Sequence, residues 1–146
     1  MSLTNAAETL LLAHLFENDN WANVGDATGL VGSTVAGSFY IGLHTGDPGE
    51  AGNQTTSEAA YTGYARVAVA RSSAGWTTSG NNCSNAAIVQ FAECTAGSAT
   101  VTYFSIGTDS SGAGNLIGSG ALSASLAVSA GITPDFAIGE LDVNAD

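Results

Sequence analysis

Thr100-Val101-Thr102-Tyr103-Phe104-Ser105-Ile106-Gly107 is the stretch on which the fold turns. Val101, Tyr103 and Ser105 alternate with Thr102, Phe104 and Ile106, so an extended chain here carries large or β-branched groups on both faces. Such a strand is expected to be covered on each side, and another subunit is one available cover. Outward from it, short runs of the same kind recur between turn signals: Ser38–His44, Tyr64–Arg71, Ala86–Ala92, Leu116–Ala121 with Ser123–Ser129, and Asp135–Val143. In Tyr64–Arg71 the residues Ala65, Val67 and Val69 share a face, which directs Arg66 away from the main core. Thr45-Gly46-Asp47-Pro48-Gly49 reads as a turn, through the bonding of the Asp side chain and the fixed φ of Pro, and Thr108 to Asn115 reads as a glycine-rich hairpin loop. The expected class is mainly β, an antiparallel β-sandwich of jelly-roll or immunoglobulin-like type.

A helix is expected ahead of the strands. Thr4 or Asn5 can cap it, Glu8 sits in its first turn, and Leu3, Ala7, Leu10, Leu11 and His14 or Leu15 recur at helical spacing to an end near Phe16. From Glu17 to Gly37 the chain is polar and punctuated by Gly25, Gly29, Gly32 and Gly37, with no clean period, as in a long surface loop or arm. The organisation that follows is an N-terminal helix and extended arm over residues 1–37 and a β-sandwich domain over residues 38–146. No repeat of fixed period, heptad or low-complexity tract points to a solenoid or a coiled-coil fibre.

At 146 residues the chain is the size of one ordinary domain and can bury a core without a disulfide or a metal. Its charge is lopsided: thirteen acidic residues face two basic ones, Arg66 and Arg71, giving a net charge of −11. Nucleic-acid binding neutralises phosphates with clustered Lys and Arg, and this chain has no such cluster to offer. The acidity reads as solubility and mutual repulsion between free subunits. No segment approaches transmembrane length, and the start lacks the basic region of a secretory leader, so a product that is not exported is expected. Cys83 and Cys94 belong to no CxxC or Cys/His pattern; reduced, buried packing is the expected state, with a cross-strand disulfide as the alternative.

Candidate chemistry is sparse. His44 with Asp47 invites a general-base reading, but no G-x-S-x-G, H-E-x-x-H or phosphate-cradling loop accompanies it, and His44 is better read as ending a strand and bonding its turn. Asn18-Asp19-Asn20 with Asp26, and Thr108-Asp109-Ser110, offer oxygen ligands for Ca²⁺ but match no defined loop. No catalytic residue, metal ligand or cofactor is assigned. Most aromatic residues read as core; Trp21 and Tyr61 lie in polar, loop-like context and suit a subunit contact. With the helix included, the interface candidates are Leu3, Leu10, Trp21, Tyr61, Tyr64 and Trp76.

The helix Leu3–Phe16, then Tyr40-Ile41-Gly42-Leu43-His44-Thr45-Gly46-Asp47-Pro48-Gly49, then Tyr64-Ala65-Arg66-Val67 and Trp76, resembles small tailed-bacteriophage structural proteins often labelled tail fibre proteins. The likeness continues through Thr100–Gly107, Gly118-Ser119-Gly120-Ala121-Leu122, and Gly131-Ile132-Thr133-Pro134-Asp135-Phe136 with Gly139-Glu140-Leu141, in the same order over nearly the whole chain. The resemblance implies a non-enzymatic virion component, assembled in the host bacterial cytoplasm and touching other virion proteins. A homo-oligomer is expected, with a trimer the favoured count; neither nucleic acid nor membrane is an expected partner. Besides a compact subunit of the tail or fibre apparatus, two alternatives stand: a capsid decoration protein that stabilises the head, and a receptor-binding module recognising host glycan around Tyr61, Trp76 and Asp109.

Overall fold

The computed structural model describes residues 1–25 and 28–145. They form two compact units: one gathers Met1–Ser38, Ala70–Ile88 and Phe136–Asp146, the other Phe39–Val69 and Val89–Asp135.

The first unit begins with α1, Asn5–Leu12, whose free N–H groups are met by Thr4: its hydroxyl oxygen accepts from the Ala7 N–H at 3.3 Å. A wider π-helical turn, Ala13–Glu17, follows, and Asn18 at φ 64° ends it in the left-handed conformation that asparagine tolerates. Glu8, Leu12 and Phe16, spaced four apart, are buried along one side. Arg71 closes the C-terminal end, donating from Nε to the Leu15 carbonyl at 2.7 Å and from its two Nη atoms to the His14 and Ala36 carbonyls. A cation on the last carbonyls of a helix opposes its dipole as well as bonding it.

Beneath the helix lies a three-stranded antiparallel sheet. With the strands numbered along the chain as β1 (Ser38–His44), β2 (Val67–Ala70), β3 (Trp76–Ser79), β4 (Asn82–Asn85), β5 (Val89–Gln90), β6 (Ser98–Gly107), β7 (Leu116–Ser129), β8 (Asp135–Phe136) and β9 (Asp142–Asn144), its order is β3-β4-β9. Leu12, Phe16, Trp76, Cys83 and Leu141 make its core, with the Phe16 and Trp76 rings 4.8 Å apart. Asn85, almost fully buried, donates to the Ala87 and Ala137 carbonyls and accepts from the Leu141 N–H. The described residues between Glu17 and Gly37 make contacts that fold the chain back: Trp21 and Leu30 exchange backbone bonds, and the Asn18 amide both donates to and accepts from the Ser33 backbone.

The second unit holds a four-stranded antiparallel sheet of order β2-β1-β6-β7. β1 pairs with β6 from Tyr40↔Gly107 to His44↔Tyr103, and β6 pairs with β7 from Ser98↔Ser129 to Gly107↔Leu116. The register slips twice, between Val101↔Leu126 and Tyr103↔Ala121 and again between Ile106↔Gly118 and Gly107↔Leu116, so that β7 is interrupted by two bulges or irregularities. β5 and β8 form a further two-stranded ladder. Phe39, Ile41, Leu43, Phe91, Val101, Ile106 and Val128 are buried here.

The protein is thus mainly β, in antiparallel sheets behind a short N-terminal helix, as the sequence led us to expect. Locally it departs from expectation. Tyr64 to Arg66 is not strand: the Tyr64 N–H turns back onto the Tyr61 carbonyl, and Arg66 is buried at 8% exposure instead of pointing away from the core. The hairpin β3–β4 was not anticipated at all. Ala86–Ala92 shortens to β5, and Asp135–Val143 divides into β8 and β9 because Asn85 holds the intervening backbone as a turn. Both cysteines are free and buried, and burial pushes the Cys83 thiol up to about 11.

Trp76 has no exposed surface, so Trp76→Ala should cost about 3–5 kcal/mol, the range for emptying a buried aromatic site. Urea unfolding followed by circular dichroism measures it, and a loss below about 1 kcal/mol would contradict the packing described.

Candidate functional site

The densest polar cluster of the second unit grows from Arg66. Its Nε and Nη2 hold the two Glu58 carboxylate oxygens at 2.7 and 2.8 Å, Nη1 donates to the Asp109 carbonyl at 2.8 Å, and Nη2 also reaches the Gly112 carbonyl at 2.8 Å. The guanidinium is 2% exposed and its partner 18%, so the pair is shielded from solvent and its geometry is bidentate. The Glu58 hydrogen bonds hold the Arg66 cation firmly protonated. Tyr64 donates its hydroxyl to the same carboxylate and accepts from the Leu43 N–H, and burial raises its phenol well above the usual range. Gln54, fully buried, reinforces the loop from the other side: its amide donates to the Asp109 carbonyl and accepts from the Asp109 N–H, as a strand would. Gly114, at φ 50°, is required there, because a Cβ would fall on the Gln54 amide.

These contacts pin the loop Thr108 to Asn115 against the sheet. Above them opens a cleft of about 470 Å³ lined by Glu58, Tyr61, Tyr64, Arg66 and the Ser110–Gly112 backbone. Its ion pair is internally neutralised, its Tyr61 hydroxyl donates to the Ala92 carbonyl, and what it offers a visitor is the exposed hydroxyls of Ser110 and Ser111. The arrangement is built to fix a loop.

His44 lies on the last position of β1 and is fully buried. Its Nδ1 sits 2.8 Å from the Thr56 carbonyl and must donate, which leaves Nε2 to accept from the Ser105 hydroxyl at 2.7 Å in the neutral ring. A serine bonded to a histidine has the form of an activated nucleophile, but both residues have no exposure and no substrate atom can reach Ser105. Asp47, paired with His44 in the sequence reading, instead accepts from the Gly49 N–H and shapes its turn.

The other candidate ligands are also absorbed locally. Asn18 and Asn20 bind the Ser33 and Gly32 backbone, and the Asp109 carboxylate accepts from the Thr108 hydroxyl. Asp26 lies outside the described residues. Among the described residues, no group of three His, Cys, Asp or Glu is arranged to hold a metal.

The six interface candidates separate by burial. Trp76 is core of the first unit and Tyr61, at 4% exposure, core of the second, and neither has surface to give a partner or a glycan. Tyr64 and Trp21 are half-buried. Leu3 and Leu10 stand open at 44% and 39%, joined by Leu11 at 38%. Among the comparisons, residues 2–144 match the family described as podophage GP4 fiber I protein gp80. The chain belongs to that family. It is a bacteriophage structural protein of the tail-fibre kind and a component of the virion. A comparison with curated proteins finds no match. Membership in a fibre-protein family implies association with other virion proteins, and Leu10 and Leu11 are the exposed large apolar side chains of α1.

Residues that the sequence reading missed are Gln54, Glu58 and Asn85. A signal was present for one of them: Arg66 is one of two basic groups in the chain and sits among apolar residues, a setting in which arginine needs a carboxylate.

Two outcomes are expected. Arg66→Ala, which strands Glu58, should lower stability by about 3–5 kcal/mol, and Arg66→Lys should recover only part because the fork is lost. Burial lowers the His44 pKa below its ordinary value of 6.5. The unfolded chain therefore binds a proton first, and stability should fall as pH drops below 6.5 toward the lower folded value. Melting curves at pH 7.5 and about pH 5.5 should show this drop in the native chain and a flatter response in His44→Gln; equal slopes would remove His44 as the cause.

Proposed function

We propose that the chain is a non-catalytic, compact surface subunit of the tail and fibre apparatus, assembled in the host cytoplasm, and that the outer side of α1 attaches it to another virion protein. The observation that carries this reading is an inversion within the helix. Glu8 is buried at 8% exposure, while Leu10 and Leu11, with Leu3 just ahead of the cap, face outward. An amphipathic helix serving its own core alone presents the opposite pattern. Leaving leucines open is costly in water and becomes favourable when a partner covers them, at about 1.5–3 kcal/mol each.

The internal chemistry supports the same reading. Both arginines are spent on internal carbonyls and a carboxylate, so no basic surface is formed from them, and the Ser105–His44 pair is sealed. Family membership supplies the setting, a fibre protein among other virion proteins.

Leu10→Gln with Leu11→Gln keeps good helix formers at both positions. The pair should leave the melting temperature nearly unchanged and reduce incorporation into particles by at least about tenfold. Quantitative immunodetection on purified particles provides the readout, and full incorporation of the double variant would sink the assignment of this face.

A further inference from the structure

The second unit carries a cleft of about 300 Å³ between the turn that follows β1 and the edge strand β7, lined by Gly49, Glu50 and Leu116–Ser119. Successive side chains of a strand point to opposite sides, so a cleft lined by four consecutive residues opens along the strand's free edge. Ile117 is the extra residue of a bulge at this place. Gly118 stands opposite Ile106 and Leu116 opposite Gly107, which leaves Ile117 unpaired and 39% exposed. The β7 wall is apolar or small, and no charged residue occurs from Ser110 to Pro134. The other wall carries one carboxylate, that of the exposed Glu50. Its turn is closed by the Gly49 N–H on the Asp47 carboxylate at 2.9 Å and by the Gly52 N–H on the Gly49 carbonyl at 3.1 Å, with Gly49 at φ 68°. Glu50 is thereby held beside β7.

This carboxylate differs from most others in the chain. Glu17, Asp47, Glu58, Asp109, Glu140 and Asp142 accept hydrogen bonds from the chain's own donors. Among the described residues, Glu50 accepts none. We propose that the cleft receives a lysine or arginine side chain of another virion protein, its alkyl stem against Leu116 and Ile117 and its cation on Glu50. Long basic side chains bury their stems along apolar surface and keep the charge at the rim, and one apolar wall facing one carboxylate matches that shape. The volume lies at the lower bound, roughly 300 Å³, of sites that take small molecules, and suits a single side chain. Charge selects the source. The chain has no lysine, and Arg66 and Arg71 are bonded to internal oxygens, so a second copy has no basic side chain to supply. A net charge of −11 draws a basic partner from a distance, and an unspent carboxylate in a cleft gives it a place to dock. The bulges limit the regular edge beside the cleft to Gly118–Ala121, too short to hold a partner by strand pairing alone, so the side-chain contact sets the specificity. The proposal rests on the reading that the chain attaches to other virion proteins and is independent of α1.

In phage carrying the full chain, Glu50→Lys should lower incorporation into particles at least about tenfold, with Glu50→Gln between it and the native chain. Gly118→Leu adds bulk to the cleft wall without changing charge and should also reduce incorporation; an ideal Cβ there meets nothing within 4 Å, so the fold accepts it. Melting temperatures of the purified variants should match that of the native chain, and if Glu50→Lys lowers it, Glu50→Gln carries the test. Carbodiimide treatment of native particles joins carboxylates to lysine amines. Because the chain has no lysine, a Glu50 amide found by mass spectrometry names the partner's lysine, and exchanging that lysine for glutamate should rescue Glu50→Lys. Charge-dependent incorporation without such an amide assigns the cation to arginine.

Full incorporation of Glu50→Lys, or of both Glu50→Gln and Gly118→Leu, would overturn the proposal. The Leu10→Gln, Leu11→Gln chain tests the helix separately. Its full incorporation alongside exclusion of Glu50→Lys would remove the α1 contact and keep this one, and the reverse result would remove this one alone.

Discussion

The Arg66 guanidinium is the point on which the second unit depends. It sits at 2% exposure with a bidentate carboxylate, and it also ties down two carbonyls of the loop that joins β6 to β7. A charge removed from water this far is tolerable only if nearly all of its donors are met, so the loop must keep one shape for the ion pair to exist. Gln54 enforces the same shape through neutral bonds to Asp109, and the backbone bond from the Gln54 N–H to the Ala113 carbonyl continues the line. The loop is thus an ordered part of the sheet's end, and the exit of β7 from it is fixed.

The strands that the sequence displays clearly are those whose packing is two-sided or alternating. β1 was legible to the residue because Phe39, Ile41 and Leu43 recur at a period of two, and β6 because both its faces are filled. β3 and β4 escaped for the opposite reason. Thr77-Thr78-Ser79 and Asn82-Cys83-Ser84-Asn85 are polar runs, and what makes them strands is long-range: Trp76 packed on Phe16, the pairing of β4 with β9, and Asn85 bonded across to Leu141. The turn at Gly80, with φ 63°, was the sole local sign of a hairpin. Arg66 was misplaced because alternation was extended backwards through Tyr64 and Ala65, where a turn breaks the phase.

The candidate surface was half legible. Large aromatics are reasonable guesses for an interface, since they anchor contacts when exposed. In this chain Trp76 and Tyr61 are instead the volume that fills the two cores, and the Trp76 Nε1 is buried without a hydrogen-bond partner, as for a ring held by packing. The open apolar groups are leucines on α1, whose spacing marks a helix but not which of its sides is covered. Helical periodicity alone could not decide between the Leu12–Phe16 side and the Leu10–Leu11 side. The choice is made by Trp76, which lies beyond β1 and β2 in the chain and whose ring Phe16 meets at 4.8 Å.

Acidity links these surfaces. With thirteen carboxylates and both arginines turned inward, most approaches between copies, or toward other acidic surfaces, are opposed by charge. Attraction must then come from places where carboxylates are missing, and short-range apolar and backbone contacts are what remain to supply it. The outer leucines of α1 meet that condition through side-chain burial. Burying Glu8 beneath α1 has the same effect: it withdraws a carboxylate from the very helix whose leucines are open. The charge pattern therefore favours association with like-charged partners at the surfaces where carboxylates are missing and leaves the remainder mutually repulsive.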